Sequence, residues 1–282
     1  MRWQRLAKQM SRKSRLPNVS FVLRLPAGLN LALGFLTTLP VPSLSNEAFA
    51  AFPDLPGQAF AWYPVVGALL GALLVCAGWL LQHSPLAPAV QAGLLLTLWV
   101  LLSGGLHLDG LLDTCDALFA PVPFERRLQI LKDVHTGAFG VIGLVVLVGL
   151  KWSLLTQLVA QQRTTLWLGL GLAPIWGRWM LVWAAQRYPY ARPSNTPSLG
   201  GAMRQGLGVR QLQIATLSVL LLLLLCLVVN RSALWSLTGP LVGLFGARWA
   251  ANKLNGGLTG DVYGALCEVT ELFVLLGIAL AS

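Results

Sequence analysis

The chain has 282 residues, of which 56% are hydrophobic and only 11% are charged, and its formal net charge is +10. A soluble domain carries about a quarter charged residues, so this composition excludes an ordinary water-soluble globule. Four scattered cysteines without a C-x-x-C pair argue against a disulfide framework and against a zinc site.

The beginning of the chain is basic and then briefly apolar. Residues 1–26 are predicted to form a tail that is disordered or lies on anionic lipid, and residues 27–282 to form one membrane-embedded domain. The apolar stretch at 27–39 has 13 residues, which is short for a span and favours an interfacial or re-entrant segment. A signal peptide is the competing interpretation, but the cleavage-like AFA at 48–50 lies too far beyond that stretch.

Long apolar runs follow along the rest of the chain. Each is about 19 residues or longer, enough to cross a hydrocarbon core of roughly 30 Å as a helix. The sequence therefore predicts an all-α, polytopic membrane helix bundle with about seven transmembrane helices. These runs lie near 58–82, 88–108, 138–160, 164–186, 212–230, 233–251 and 262–281.

Basic residues predict the orientation of these spans. Of the 20 Lys and Arg, seven lie in the first 24 residues, and most of the others lie in the loops 109–137 and 187–211 and at Lys253. The positive-inside rule places the N-terminus and these three loops in the cytoplasm. The positive charge is thus mainly a topology signal, and no nucleic-acid partner is predicted.

Acidic residues are few and concentrated. Eight of the ten fall in two windows, 109–133 and 261–271. In the first window, Asp109, Asp113 and Asp116 stand at i, i+4 and i+7, so they share one face of a helix. In the second, Asp261, Glu268 and Glu271 also share a helical face and enter a predicted span, where ionisable groups point to a function.

Two interpretations of these acids stay open. In the structural one, the aspartates cap a helix or solvate a loop, and the glutamates pair with Arg178 or Arg248 inside the bundle. In the functional one, a divalent cation relieves the repulsion among three like charges on one face. Oxygen ligands without cysteine fit Mg²⁺ or Mn²⁺ better than zinc, and Mg²⁺ takes further oxygens from substrate phosphates.

Glycine-rich stretches accompany both acid groups and predict a phosphate site. GG at 104–105, KDVHTGAFG at 132–140 and NKLNGGLTGD at 252–261 allow close backbone approach or open a helix whose free N–H groups can receive an anion. Each cluster alone is more often a plain turn or a close helix contact, and the histidines are more often hydrogen-bonding partners than ligands or bases. The residues assigned to this site are Gly104, Gly105, His107, Lys132, Asp133, His135, Gly137, Lys253, Gly257 and Thr259.

Four stretches together resemble the cobalamin synthase family, the membrane adenosylcobinamide-GDP ribazoletransferases of vitamin B12 assembly. They are FLTTLPVP at 35–42, GGLHLDGLLDTCD at 104–116, KDVHTGAFG at 132–140 and GGLTGDVYGALCEVTEL at 256–272. Their order and spacing fit the family, and the resemblance covers roughly residues 29–282.

The resemblance implies a Mg²⁺-dependent transferase of a bacterial inner membrane. A ribose hydroxyl of α-ribazole, or of its 5′-phosphate, attacks the cobinamide-linked phosphorus of adenosylcobinamide-GDP, and GMP leaves. An oligomer or a cobalamin-assembly complex is compatible with the sequence, and no residue pattern identifies one.

Site roles follow from this implied reaction. Asp109, Asp113 and Asp116 would hold the metal against the diphosphate, and one of them or Asp133 would accept the proton of the attacking hydroxyl. Asp261 and Glu268 would complete the metal shell or orient the acceptor. Candidates for contacts to phosphate or GMP are Arg126, Lys132, Arg178 and Arg187.

Two alternative functions remain at this point. A CDP-alcohol phosphotransferase also binds metal and diphosphate through aspartates at a membrane helix end, but its usual pattern is D-x-x-D-G rather than the D-x-x-x-D-x-x-D found here. A cation-coupled transporter would explain acids within spans, but the acids gather at one membrane face and no inverted repeat is found.

Overall fold

The computed structural model describes residues 26–42, 44, 51–133, 135–161, 163–191 and 199–281. Almost all of the predicted basic tail and the AFA sequence at 48–50 lie outside these residues. Within them the chain is helical and contains no β-strand, which confirms the all-α prediction.

The helices are named here in chain order. They are α1 Ala27–Leu36, α2 Leu55–Ala59, α3 Tyr63–Leu81, α4 Pro88–Ser103, α5 Leu106–Phe119, α6 Phe124–Ile130, α7 Ala138–Ala160, α8 Arg163–Arg187, α9 Leu199–Met203, α10 Val209–Val229, α11 Thr238–Lys253 and α12 Gly260–Leu280, with 3₁₀ turns at Phe60–Trp62 and Arg231–Leu237. Prolines stand in the first turns of α2, α3 and α4, where the missing N–H would have no partner within the helix.

Membrane-spanning helices are present, but the predicted number of about seven is not confirmed. Four segments of the described chain are long and apolar enough to cross a membrane: Leu55–Leu81, α7, α10 and α12. A fifth is obtained only if α4 and α5, which meet at an angle of 91°, count as one span. The short apolar helix α1 agrees with the predicted N-terminal segment, which is too short to span by itself.

Three of the predicted spans differ for identifiable reasons. The run at 88–108 is broken because α4 ends at Ser103. The run at 164–186 does form the 25-residue helix α8, which is long enough to cross a membrane but whose mean hydropathy is lower than that of the four segments above. The run at 233–251 begins with a 3₁₀ turn, which leaves only 16 residues for α11.

Glycines produce the break between α4 and α5. Gly104 and Gly105 have φ angles of 67° and 69°, a left-handed conformation that glycine adopts without steric cost. Two such residues in succession turn the chain through 91° between the helices. The segment before α3 packs on this turn, since Thr38 N–H donates to the carbonyl of Leu102 over 2.8 Å.

The centre of the bundle is formed by α8 and α12, which are largely buried, whereas α7 and α10 expose many aliphatic side chains. Close backbone contacts hold α3 against α8. A Cβ atom added to Gly67 would lie 2.5 Å from the carbonyl oxygen of Pro174, and one added to Gly71 would lie 2.6 Å from that of Gly171. The apolar side chains outside the core are those expected to face lipid.

The described parts of the three basic loops meet at one end of the bundle. Gly110 on α5 lies against the backbone of Asp261, and Gly257 packs against Ala191 after α8. Gly200 in α9 lies next to Gly260 at the start of α12. The described residues of the loops 109–137, 187–211 and 253–261 therefore share one end, as the charge pattern predicts.

We predict that Gly67→Ala destabilises the α3–α8 contact by about 1–3 kcal/mol, because the added methyl group overlaps the backbone of α8. The measurement is the thermal unfolding midpoint of the purified protein in detergent. Gly149→Ala is the control, since nothing lies within 4 Å of a Cβ at this position on α7. Equal midpoints for the two variants would contradict the close contact.

Candidate functional site

The two acid-bearing helices α5 and α12 cross with their backbones in contact. A Cβ atom on Gly110 would lie 2.6 Å from the backbone oxygen of Asp261, and one on Gly264 would lie 3.2 Å from the Cα of His107. The first and the last acid groups of the sequence thus meet, although 151 positions separate Gly110 from Asp261. The crossing needs small residues on both helices.

The aspartates of α5 are placed differently despite their common face. Asp109 is exposed and Asp113 is half-buried, and with a spacing of four residues both lie to one side of Gly110. Asp116 is buried. The part of this face that is open to a ligand therefore carries Asp109 and Asp113.

Asp116 caps α7. Its two carboxylate oxygens accept hydrogen bonds from the backbone N–H groups of Gly137 at 2.7 Å and Gly140 at 2.8 Å. A carboxylate at this position satisfies two of the N–H groups that lack a partner within the helix and stabilises the positive end of the helix dipole. The helix N-terminus predicted to receive a substrate anion thus holds a carboxylate of the protein itself.

The connection between α5 and α7 presents exposed polar groups. Asp133 Oδ1 contacts His135 Nδ1 at 2.6 Å, and the side chains of these residues are 50% and 86% exposed. Arg126 on α6 is exposed and donates a hydrogen bond to Gln129, and Lys132 is exposed as well. These residues stand on the same loop as the capped end of α7.

The turn before α12 lies at the same end of the bundle. Thr259 is the N-cap of α12, and its hydroxyl contacts Oδ2 of Asp261 at 3.3 Å. Lys253 is exposed, with its Nζ 5.9 Å from the centroid of the Trp249 ring. At the end of α8, the guanidinium of the exposed Arg187 lies 5.8 Å from the centroid of the Tyr188 ring.

Deeper in the bundle lies an ion network, defined here as Lys151, Arg178, Glu268 and Glu271. Lys151 Nζ on α7 contacts a carboxylate oxygen of each glutamate at 2.6 Å, and Arg178 on α8 pairs with Glu271. All four side chains are less than 8% exposed. Two cations and two anions make the network neutral, as expected for charges within a membrane domain.

The ion network changes the interpretation of two predicted site residues. Glu268 stands seven residues after Asp261 on α12, about 10 Å along the helix, and Arg178 reaches Glu271, one turn further. The structure therefore does not bring Glu268 and Arg178 to the exposed aspartates. The pairing of Glu271 with Arg178 is the one that the structural interpretation of the glutamates anticipated.

His107 connects the network to α5. Its Nδ1 lies 3.6 Å from Sγ of Cys267, and that sulfur lies 3.8 Å from Oε1 of Glu271. His107 is 3% exposed, so it faces the interior rather than a ligand.

Lys151 was missed by sequence reasoning, because one lysine does not interrupt an apolar run of 23 residues. Its position in a predicted span was the signal available.

The carboxylates do not form a complete metal cage. Among the described residues, no group of three or more His, Cys, Asp and Glu side chains is arranged to hold a metal ion. Asp109 and Asp113 supply the pair of carboxylates on the open face of α5.

Comparisons with known proteins agree on one family. The family model of cobalamin-5-phosphate synthase matches residues 28–279. Proteins described as adenosylcobinamide-GDP ribazoletransferase are similar to the chain: 42% identity for Deinococcus radiodurans over 88% of this chain and 83% of the relative, and 43% for Pseudomonas putida W619 over 89% and 98%. The protein from Desulforamulus reducens is 37% identical over 91% and 97%. No solved structure matches the chain.

We predict that Asp116→Asn lowers the stability of the protein by about 1–2 kcal/mol, because the amide group replaces one of two acceptors with a donor at the start of α7. The readout is again the thermal unfolding midpoint in detergent. Asp109→Asn is the matched control on the exposed side of the same helix. A midpoint that is unchanged in both variants would disprove the capping role.

Proposed function

Because the chain belongs to the cobalamin-5-phosphate synthase family, we propose that it joins adenosylcobinamide-GDP to α-ribazole or α-ribazole 5′-phosphate. The products are adenosylcobalamin or its 5′-phosphate, and GMP. The structural observation that best supports this reaction is the α5–α12 crossing, which puts Asp261 beside the helix that carries Asp109 and Asp113.

The reaction is a displacement at phosphorus. The ribose hydroxyl oxygen of the acceptor forms a bond to the phosphorus next to cobinamide, and the bond from that phosphorus to the bridging oxygen breaks. GMP leaves with the bridging oxygen and its electron pair, and the hydroxyl proton passes to a carboxylate. Such a transfer requires positioning and charge neutralisation more than covalent catalysis.

Asp109 and Asp113 are the carboxylates best placed to act on a ligand. Both lie on the open side of α5, and a carboxylate within hydrogen-bond reach can accept the proton of an attacking hydroxyl. Asp133 is the alternative base, exposed on the loop before α7. We leave Asp116 out of this step because both of its oxygens accept backbone hydrogen bonds.

A magnesium ion fits this donor set. Mg²⁺ is usually held by one or two carboxylates together with waters and substrate phosphates, so the pair Asp109 and Asp113 suffices without a cage. The backbone of Asp261 lies against Gly110, the residue after Asp109. When bound with substrate, the ion would neutralise the diphosphate oxygens. Mn²⁺ takes the same ligands.

Exposed basic residues at the same end of the bundle as Asp109 and Asp113 are suited to bind the phosphates of the substrate. Arg126 and Lys132 lie on the loop after α5, and Arg187 and Lys253 stand at the ends of α8 and α11. All four are exposed. Since guanidinium and ammonium groups bind phosphate through charge-assisted hydrogen bonds, we assign these four residues to the diphosphate and to GMP.

The proposed location is the bacterial inner membrane. The apolar helices support a multi-pass membrane protein. The positive-inside rule would put the end with the loops 109–137, 187–211 and 253–261 in the cytoplasm, where nucleotide substrates are available.

We predict that Asp109→Asn and Asp113→Asn each reduce turnover at least about 100-fold while the protein still inserts in the membrane, because each removes a carboxylate that faces the substrate. GMP release by purified protein measures turnover, and the unfolding midpoint shows that the variants are folded. Undiminished turnover at saturating Mg²⁺ would remove these residues from the site.

The reaction itself is tested by GMP release from adenosylcobinamide-GDP and α-ribazole, with and without chelator. We expect release that stops in the chelator and returns with Mg²⁺ or Mn²⁺. Replacing the donor by a CDP-alcohol provides the specificity control. Release that is independent of metal would refute the magnesium assignment, and the absence of any release would refute the proposed function.

A further inference from the structure

Helix α7 is attached to the site helices by polar contacts at two levels. At its start, its N–H groups bind Asp116 of α5, and further along, Lys151 binds Glu268 and Glu271 of α12. The two levels are about 20 Å apart, since 13 residues separate Ala138 from Lys151. Most of the rest of α7 presents aliphatic side chains outward.

The two polar contacts of α7 involve different acid-bearing helices. The cap fixes α7 to α5, and Lys151 fixes it to α12. At Gly110 and Gly264, α5 and α12 meet through backbone atoms, and smaller apolar side chains such as Leu111 and Ala265 pack beside the crossing. Fixing both helices to a third one adds to the direct contact at Gly110 in setting how far Asp261 lies from Asp109 and Asp113.

We propose that Lys151 is a positioning residue for the transfer reaction. It acts through Glu268 and Glu271 to set the position of α12 against α5, and so the distance between the acids at the site. This inference depends on the proposed function.

A side-chain path inside the bundle supports this role. Glu271, held by Lys151 and Arg178, lies against Cys267, and Cys267 lies against His107. His107 is two residues before Asp109 on α5. A shift of Glu271 is therefore transmitted through packed atoms to the first turn of α5.

The environment of Lys151 makes its position specific. Its ammonium touches two carboxylates of α12 and lies 4.8 Å from the centroid of the Trp99 ring on α4, so two helices define its place. An ammonium surrounded in this way cannot move without losing an ion pair in a low-dielectric interior. The geometry thus fixes one register of α7 along α12.

The experiment distinguishes an effect of Lys151 on the position of α12 from an effect on protein stability. It does so with a variant in which the buried charges remain balanced. Lys151→Met alone leaves one uncompensated glutamate in the bundle and is expected to lower the yield of folded protein. In the double variant Lys151→Met, Glu268→Gln, the remaining pair of Arg178 and Glu271 is neutral. We expect its unfolding midpoint to lie between those of the single variant and the wild type.

Turnover gives the decisive readout. We expect kcat of the folded double variant, measured as GMP release in lipid nanodiscs, to fall at least about tenfold, because small displacements of reacting groups are costly. The Mg²⁺ concentration for half-maximal rate should rise, since Asp261 no longer keeps its distance from Asp109 and Asp113. Wild-type kcat and Mg²⁺ requirement in this variant would show that the ion network only stabilises the fold and would overturn the proposal.

Two further variants keep the test decisive. Trp152→Phe removes the hydrogen bond from the neighbouring residue of α7 to Ala89, without a change of charge, and should retain wild-type kcat. If the double variant does not fold, Lys151→Arg retains the charge with a longer, planar group, and a wild-type kcat in that variant would overturn the proposal. An inactive wild type would instead count against the proposed function.

Discussion

The backbone contact between α5 and α12 is the constraint on which the site depends. At Gly110 the main chain of one helix meets the main chain of the other at Asp261, closer than any larger residue would allow. The contact brings together acidic groups that the sequence separates by about 150 positions. Without it, Asp109 and Asp113 would stand on a helix with no acidic neighbour from the last span.

Acidic side chains have different partners near the loops and in the interior of the bundle. Near the loops, Asp109 is exposed and Asp116 is bound to backbone N–H groups, whereas in the interior Glu268 and Glu271 are paired with cations. The cost of an unpaired charge in hydrocarbon explains this division. The exposed acids can therefore serve chemistry, and the buried ones serve to hold helices together.

Much of this organisation could be predicted from the sequence. Hydropathy was sufficient to identify the apolar helices α3, α7, α10 and α12, and the charge pattern was sufficient to group three loops at one end. The predicted number of about seven spans is not confirmed, and apolar content alone does not reveal the turn at Gly104 and Gly105 or the short length of α11. A backbone conformation with positive φ at two successive residues is a local property that an average over many residues does not detect.

The sequence predicted which acidic residues lie near the site, but not the different contacts that each of them makes. Helical spacing showed that Asp109, Asp113 and Asp116 share a face, but not that Asp116 would be bound by N–H groups 21 and 24 residues further along the chain. Glu268 fits the same acidic pattern as Asp261, yet its partner Lys151 lies in another span. Partners so distant in sequence are defined only by the packing of helices. The pairing of α5 with α12 also has a consequence for biogenesis. At about 5–20 residues per second, the ribosome needs roughly 10–30 s to extend the chain from the aspartates to the last helix. During that interval α5 lacks its final neighbour, and a chain cut short before α12 would not assemble the crossing with Asp261.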